Sequence, residues 1–236
     1  MRKNLFMISL ILFVISALPL FQMVRERVTT WKLDNRYTIE QAYAQGFLTH
    51  NDVSEIVVNG HLIEIVEEKT GEKGTLTYWD ENEGVKPGDI VKLHLSIDNK
   101  EVTTTDEIWL SNRDRGGRYY SWLDILTVND DIAIVQRLTD DNGAMEDRRW
   151  KIIWIDEKGK LTEDQISYYD RSENPLAVRL INISSTSLMG MGYYSDILFT
   201  YPTIFFPLMF PWGTGLFSVL FFIIAFLQRK KSPKLN

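Results

Sequence analysis

Apolar residues crowd the two ends of the chain, and between them they alternate with polar residues at the period of a β-strand. Residues 5–23 read LFMISLILFVISALPLFQM, with no charge and only two serines and a glutamine to interrupt the apolar run. About 20 such residues make a helix that crosses a hydrocarbon layer of about 30 Å. The pattern therefore predicts a transmembrane helix over 5–23. Arg2 and Lys3 precede it, as they would in a signal sequence. No small-x-small cleavage site follows the run, and the nearest, Ser16-Ala17-Leu18-Pro19, lies inside it. An uncleaved signal anchor is expected.

A second apolar segment covers 196–227 and stops at Gln228-Arg229-Lys230-Lys231. It is too long for one perpendicular helix and too short for two full crossings. Pro202, Pro207 and Pro211 divide it, each removing a backbone donor. The expected solution is an irregular aromatic approach, then a helix starting near Phe205 or Pro211 and ending at Leu227. Tyr193, Tyr194 and Tyr201 suit the interfacial layer, where an apolar ring and a polar tip are both satisfied.

The middle, 24–195, carries the strand pattern. Asn59-Gly60 between Glu55-Ile56-Val57-Val58 and His61-Leu62-Ile63 predicts a hairpin with positive φ at both turn residues. Further strands are expected at 75–79, 90–97, 101–110, 119–128, 132–138, 149–155 and 176–183. Turn chemistry separates several of them, at Lys86-Pro87-Gly88-Asp89, Asp98-Asn99-Lys100, Asn129-Asp130-Asp131 and Asp156-Glu157-Lys158-Gly159. Thr38-Ile39-Glu40-Gln41 has a capping-box pattern, which predicts one short helix near 38–46 closed by Gly46. Clean alternation in Val91-Lys92-Leu93-His94-Leu95-Ser96-Ile97 implies antiparallel sheets with one wet face. The expected fold class is mainly β: an antiparallel sandwich, barrel or meander flanked by N- and C-terminal transmembrane helices. The stretch 132–160 also has the pattern of one propeller blade, two strands and then an aromatic strand ending in Asp-x-x-Gly, but no internal repeat accompanies it.

Charge refines this picture. Every one of the 32 acidic residues lies between Glu26 and Asp196, while Arg2, Lys3, Arg229, Lys230, Lys231 and Lys234 lie outside that stretch. The middle is thus more acidic than the net charge of −6. An acidic domain repels phosphate backbones, so nucleic acid is not expected as a partner. The basic ends place both termini, 1–4 and 228–236, in the cytoplasm and the middle domain outside a cell membrane, with a bacterial exported domain as the matching context. Arg25, Arg27, Lys32 and Arg36 argue the other way. Kept inside, they would make the domain cytoplasmic and force 197–227 into a proline-bent hairpin.

Candidate chemistry is sparse. With no cysteine, disulfides, thiolate metal sites, cysteine nucleophiles and cysteine lipidation are excluded. His50, His61 and His94 show no metal-ligand spacing. The acidic loop Thr139–Asp147 fails EF-hand alignment, yet Asp140, Asn142 and Asp147 could furnish oxygen ligands for a cation, against the plainer reading of a solvated turn. No GxSxG, Ser-x-x-Lys, Walker or dinucleotide glycine pattern occurs, and no cofactor is expected. Arg113, Arg115 and Arg118 stand beside Tyr120 and Trp122 in a glycine-bent loop. Guanidinium forks and rings in that mixture suit an anionic or sugar-bearing partner. The competing reading has the arginines paired with neighbouring acids and Tyr120 and Trp122 packed inward. No ionisable residue interrupts 5–23 or 197–227, which disfavours transport. The leading expectation is a membrane-anchored, non-enzymatic interaction or sensing module whose partners are the lipid bilayer and a membrane or envelope protein. An accessory subunit of a membrane complex, with 201–212 as its contact, is the second reading, and a membrane-anchored hydrolase the third.

Overall fold

The structure is a computed structural model that describes residues 2–42, 54–76, 81–110, 119, 121–139, 144–184, 186 and 208–230. The chain divides into two compact units, one of Met1–Leu33 with Gly190–Asn236 and one of Asp34–Met189.

The described residues of the first unit are helical. Helix α1 runs over Arg2–Arg36 and carries Pro19 within it. It does not stop at the end of the apolar run, because nothing between Met23 and Arg36 breaks a helix. The C-terminal helix, Thr214–Lys230, begins after a kinked turn over Leu208–Gly213 in which Phe210 has strand-like angles (φ −140, ψ 127). Both helices are long and apolar enough to cross a membrane. Their mutual contacts run in opposite directions along the two chains: Phe6 meets Phe222, Ser9 meets Ser218 and Ser16 meets Thr214. The two helices are therefore antiparallel.

The second unit contains two antiparallel sheets. Its strands are β1 (Ile39–Gln41), β2 (Glu55–Val58), β3 (His61–Lys73), β4 (Asp89–Ile97), β5 (Lys100–Thr104), β6 (Ile108–Trp109), β7 (Leu123–Val128), β8 (Asp131–Arg137), β9 (Arg149–Ile155) and β10 (Leu161–Ser167). One sheet has the order β1-β7-β8-β9-β10. The other has the order β2-β3-β4-β5, with β6 also on β4. A single buried cluster draws Ile63, Leu93 and Leu95 from one sheet and Ile125, Ile134 and Ile153 from the other. The strands of the first sheet are buried on their other face as well. There Leu126, Ala133, Val135 and Ile152 are all inaccessible to solvent, and α2 (Pro175–Ile183) buries Ala177, Val178, Leu180 and Ile181 while touching β8 and β10. The C-terminal helix is α3 in chain order.

Several expectations need correction. The helix near 38–46 is not formed at its start: Ile39–Gln41 is a strand paired with Val128, Thr127 and Leu126. Thr38 does not cap a helix. Its N–H donates to Asn129 Oδ1 at 2.9 Å, and its carbonyl accepts from the Asn129 N–H at 2.8 Å. Long-range pairing outweighs the local capping pattern; positions 43–46 lie outside the described residues. The strand expected at 176–183 is helix α2. Asn174 caps it by accepting from the Ala177 N–H at 3.0 Å, and Pro175 opens its first turn. The strand expected at 101–110 is two short strands, β5 and β6, both on β4. Residues 74–76 are not in a strand, and 77–80 are outside the described residues.

Candidate functional site

The outer face of the β2–β5 sheet gathers side chains that can be charged. Inward positions of β4 are Val91, Leu93, Leu95 and Ile97, all buried, so His94 and Ser96 point outward. Register then decides their neighbours. His94 is opposite Val66 on β3 and Thr104 on β5, and Ser96 is opposite Glu64 and Glu101. A bulge between Leu95 and Ser96 shifts the β5 pairing by one residue, which turns both Glu101 and Thr104 toward His94.

The outcome is a histidine held on both ring nitrogens. Nε2 lies 2.9 Å from Glu68 Oε2 and Nδ1 lies 3.2 Å from Glu101 Oε1. Thr104 Oγ1 donates to Glu101 Oε1 at 2.6 Å. A neutral imidazole has one N–H and could serve only one carboxylate; the imidazolium serves both. Glu68, then Glu101, accordingly raise the His94 pKa above its usual value. The Thr104 hydroxyl, then His94, lower that of Glu101. In the imidazolium form both nitrogens donate, and His94 then has no lone pair to act as a base. It is a titratable strap across β3, β4 and β5. Lys92, on the same face, is paired with Glu107 at 3.8 Å. Glu55 of β2 stands opposite Glu64 of β3, and Val57 and Val66 are exposed on this face.

The pH dependence follows with its sign. A raised histidine pKa stabilises the fold at acidic pH and loses that contribution as pH rises through the folded-state value. A lowered Glu101 pKa stabilises above the ordinary carboxylate range and is lost as pH falls through its folded value. The strap should therefore be strongest between the ordinary carboxylate range and the usual imidazole value of 6.5, and should weaken as pH rises from there through the raised value of His94. Proton NMR of the His94 ring should show an upward-shifted titration. His94→Gln should remove the corresponding slope from the thermal stability profile. A midpoint at or below the ordinary value would contradict the bridged geometry.

Other expected site residues fall as follows. Trp122 is buried; its indole N–H donates to the Trp109 carbonyl at 2.9 Å, and the Arg137 guanidinium lies 4.8 Å above its ring. The chain's own arginine thus occupies one face of this ring. Arg113, Arg115, Arg118 and Tyr120 lie outside the described residues, as do Asp140, Asn142 and His50. Asp147 ends a short turn over Met145–Asp147 and is exposed. Among the described residues, no group of three or more His, Asp and Glu side chains is arranged to hold a metal ion. His61 Nδ1 is 2.7 Å from Asp98 Oδ2, whose carboxylate also accepts from the Leu62 N–H, and these contacts tie two hairpin turns together.

In the helical unit, Ser9 Oγ donates to the Ser218 carbonyl and Ser218 Oγ to the Ser9 carbonyl, both at 2.9 Å. Ser16 and Thr214 hydroxyls meet at 2.6 Å. A Cβ at Gly215 would come within 2.8 Å of Leu20 Cδ1, so glycine allows the close approach. The chain matches no family model, no curated protein and no solved structure. Sequence reading missed this helix seam. Its signal was the heptad spacing of Ser9 with Ser16, and of Ser218 with Ala225, small residues that face inward while their neighbours stay exposed.

Proposed function

We propose that the chain is a membrane-anchored interaction or sensing module: a β-sandwich outside the cell membrane, held by two transmembrane helices, with both termini in the cytoplasm. The observation that carries this reading is the reciprocal Ser9–Ser218 bonding inside an antiparallel pair whose outer residues, such as Leu10, Val14, Leu216 and Leu220, are exposed and apolar. Polar hydrogens satisfied at the seam with hydrocarbon-like side chains around it suit a lipid solvent and would be poorly served by water. An antiparallel pair puts Arg2 and Lys3 at the same end as Arg229 and Lys230, in keeping with both basic tails on one side. The core shared by two sheets supports the sandwich. The acid-rich face around His94, with its exposed valines, supports interaction or sensing over catalysis, because both ring nitrogens of the histidine are engaged by the chain's own carboxylates.

The absence of native cysteine makes labelling direct. In intact cells, Glu163→Cys should react with an impermeant maleimide, and Lys3→Cys should react only after permeabilisation. The reverse pattern overturns the orientation. A photo-crosslinker at Val66 should capture a membrane or envelope protein, and its failure to capture any would remove the interaction reading. Of the contact expected for an accessory subunit, 201–212, residues 201–207 lie outside the described residues; an accessory role is favoured instead by an apolar groove of about 310 Å³ lined by Phe6, Leu10, Phe13, Val219 and Phe222 beside the serine seam. It predicts that Leu10→Trp abolishes co-purification of a membrane complex without loss of insertion.

A further inference from the structure

Helix α1 changes character beyond its apolar run without ending. At 100° per residue, Phe21, Val24, Val28 and Trp31 fall on a strip about 80° wide that rises about 15 Å along the axis. These four side chains are 64%, 50%, 43% and 64% exposed. Arg25 and Lys32 border the strip on one side and Arg27 on the other, and all three are exposed. Glu26 lies on the opposite side of the helix and is partly covered, as are Met23, Thr29 and Leu33. The sides of the helix are thus sorted in an unusual sense. Its apolar residues and its cations share the open face, Glu26 is on the sheltered one, and Asp34, in the last turn and off the strip, pairs with Arg179 at 2.9 Å.

We propose that this face is a binding surface for anionic phospholipid headgroups. The apolar strip would rest at the boundary between acyl chains and headgroups, and the Arg25, Arg27 and Lys32 side chains would reach lipid phosphate oxygens. Two features select this occupant. The strip is continuous with the apolar run 5–23, so whatever surrounds that run reaches Phe21 and Val24 as well. The charge is complementary, with three cations bordering the strip and no acid on it. Arginine and lysine extend apolar stems along such a surface while their charged ends reach phosphate, and an indole ring suits the same layer. Each cation near an anionic bilayer adds an attraction that weakens with salt. The same residues oppose the orientation set by the basic tails, and engagement with headgroups gives them a favourable setting on either side of the membrane.

This inference rests on the membrane-anchor reading, and the experiment separates the two. The full chain, labelled through a single cysteine at Val14, Val28 or Glu163, is reconstituted in vesicles of phosphatidylcholine alone or mixed with phosphatidylglycerol. Aqueous iodide quenching of the label is then measured. The Val14 label should be shielded in both lipids and the Glu163 label open in both. Quenching at Val28 should fall severalfold when phosphatidylglycerol is present, and the fall should shrink at high salt. The variant R25Q/R27Q/K32Q should lose this difference while keeping Val14 shielded. A Val28 label as open as Glu163 in both lipids, as expected if an acidic protein segment is the true occupant, overturns the proposal. So does equal shielding in both lipids. An open Val14 label removes the anchor reading itself.

Discussion

Trp150→Ala is expected to destabilise the β domain by about 3–5 kcal/mol, the cost of emptying a large aromatic site in a packed core. Trp150 is fully buried on the face of the β7–β10 sheet that bears Ile152. It stands opposite Arg137 on β8 and Ile166 on β10. Its indole N–H donates to the Thr186 carbonyl at 3.3 Å, past the end of α2. The ring thus joins the sheet to the segment that follows its covering helix. Truncation opens a cavity and leaves the buried Thr186 carbonyl without that donor. For a domain of this size the melting temperature should fall by about 10 °C. Trp154, four residues along the same strand, is the control. It is half-buried, and its N–H donates to Asp164 at 3.1 Å in an exposed setting. Trp154→Ala should cost about 1 kcal/mol. Equal losses at the two positions would refute this account of the core.

What could be read from sequence was whatever depended on near neighbours. Asn59 (φ 48) and Gly60 (φ 85) adopt the two positive angles that their residue types favour, as do Asp98 (φ 51) and Asn99 (φ 64) in the next hairpin. Alternation placed His94 on a polar face, where it is. It could not supply Glu68 and Glu101, because those contacts require the β3–β4 register and a bulge in β5 that no local pattern encodes. β10 escaped notice for a different reason. As an edge strand it exposes Thr162, Glu163, Asp164 and Gln165 in succession, so the period-two signal is absent. α2 escaped because Ala-Val-Arg-Leu-Ile-Asn-Ile is rich in β-branched residues, although Asn174-Pro175 before it is a good helix start.

The candidate site shows the same division. Binding chemistry was sought in a loop whose residue types looked suitable, and the two rings described there are both buried: Tyr119 donates its hydroxyl to Glu67 at 2.7 Å, and Trp122 packs inward against Trp109 and Arg137. The cluster around His94 assembles residues from three strands, each unremarkable in isolation. Helix α1 differs again: its apolar and basic residues are visible as letters, but only a continuous helix through Arg36 puts them on one face.

Gly88→Ala should cost about 3 kcal/mol, near the upper end of overpacking effects, even though alanine adds a single methyl group. A Cβ at Gly88 would lie 1.5 Å from the Leu110 carbonyl oxygen. That atom belongs to the backbone just past β6, where the Leu110 N–H donates to the Asp89 carbonyl at 3.0 Å and the Gly88 carbonyl accepts from the Gly74 N–H at 2.9 Å. Relief of the collision must move β6 away from β4, and it disturbs the Trp109 carbonyl that receives the Trp122 indole N–H. Gly74 provides the contrast. A Cβ there would lie 1.7 Å from Trp109 Cδ1, a side-chain atom. Gly74→Ala should therefore be rescued in large part by Trp109→Leu, which removes the obstructing ring, whereas Gly88→Ala should not. Denaturant midpoints of the two double-mutant cycles would measure the difference as coupling energies. Strong coupling is expected for the Gly74 pair and weak coupling for the Gly88 pair. The opposite order would mean that the indole, not the backbone of β6, sets how closely these segments approach.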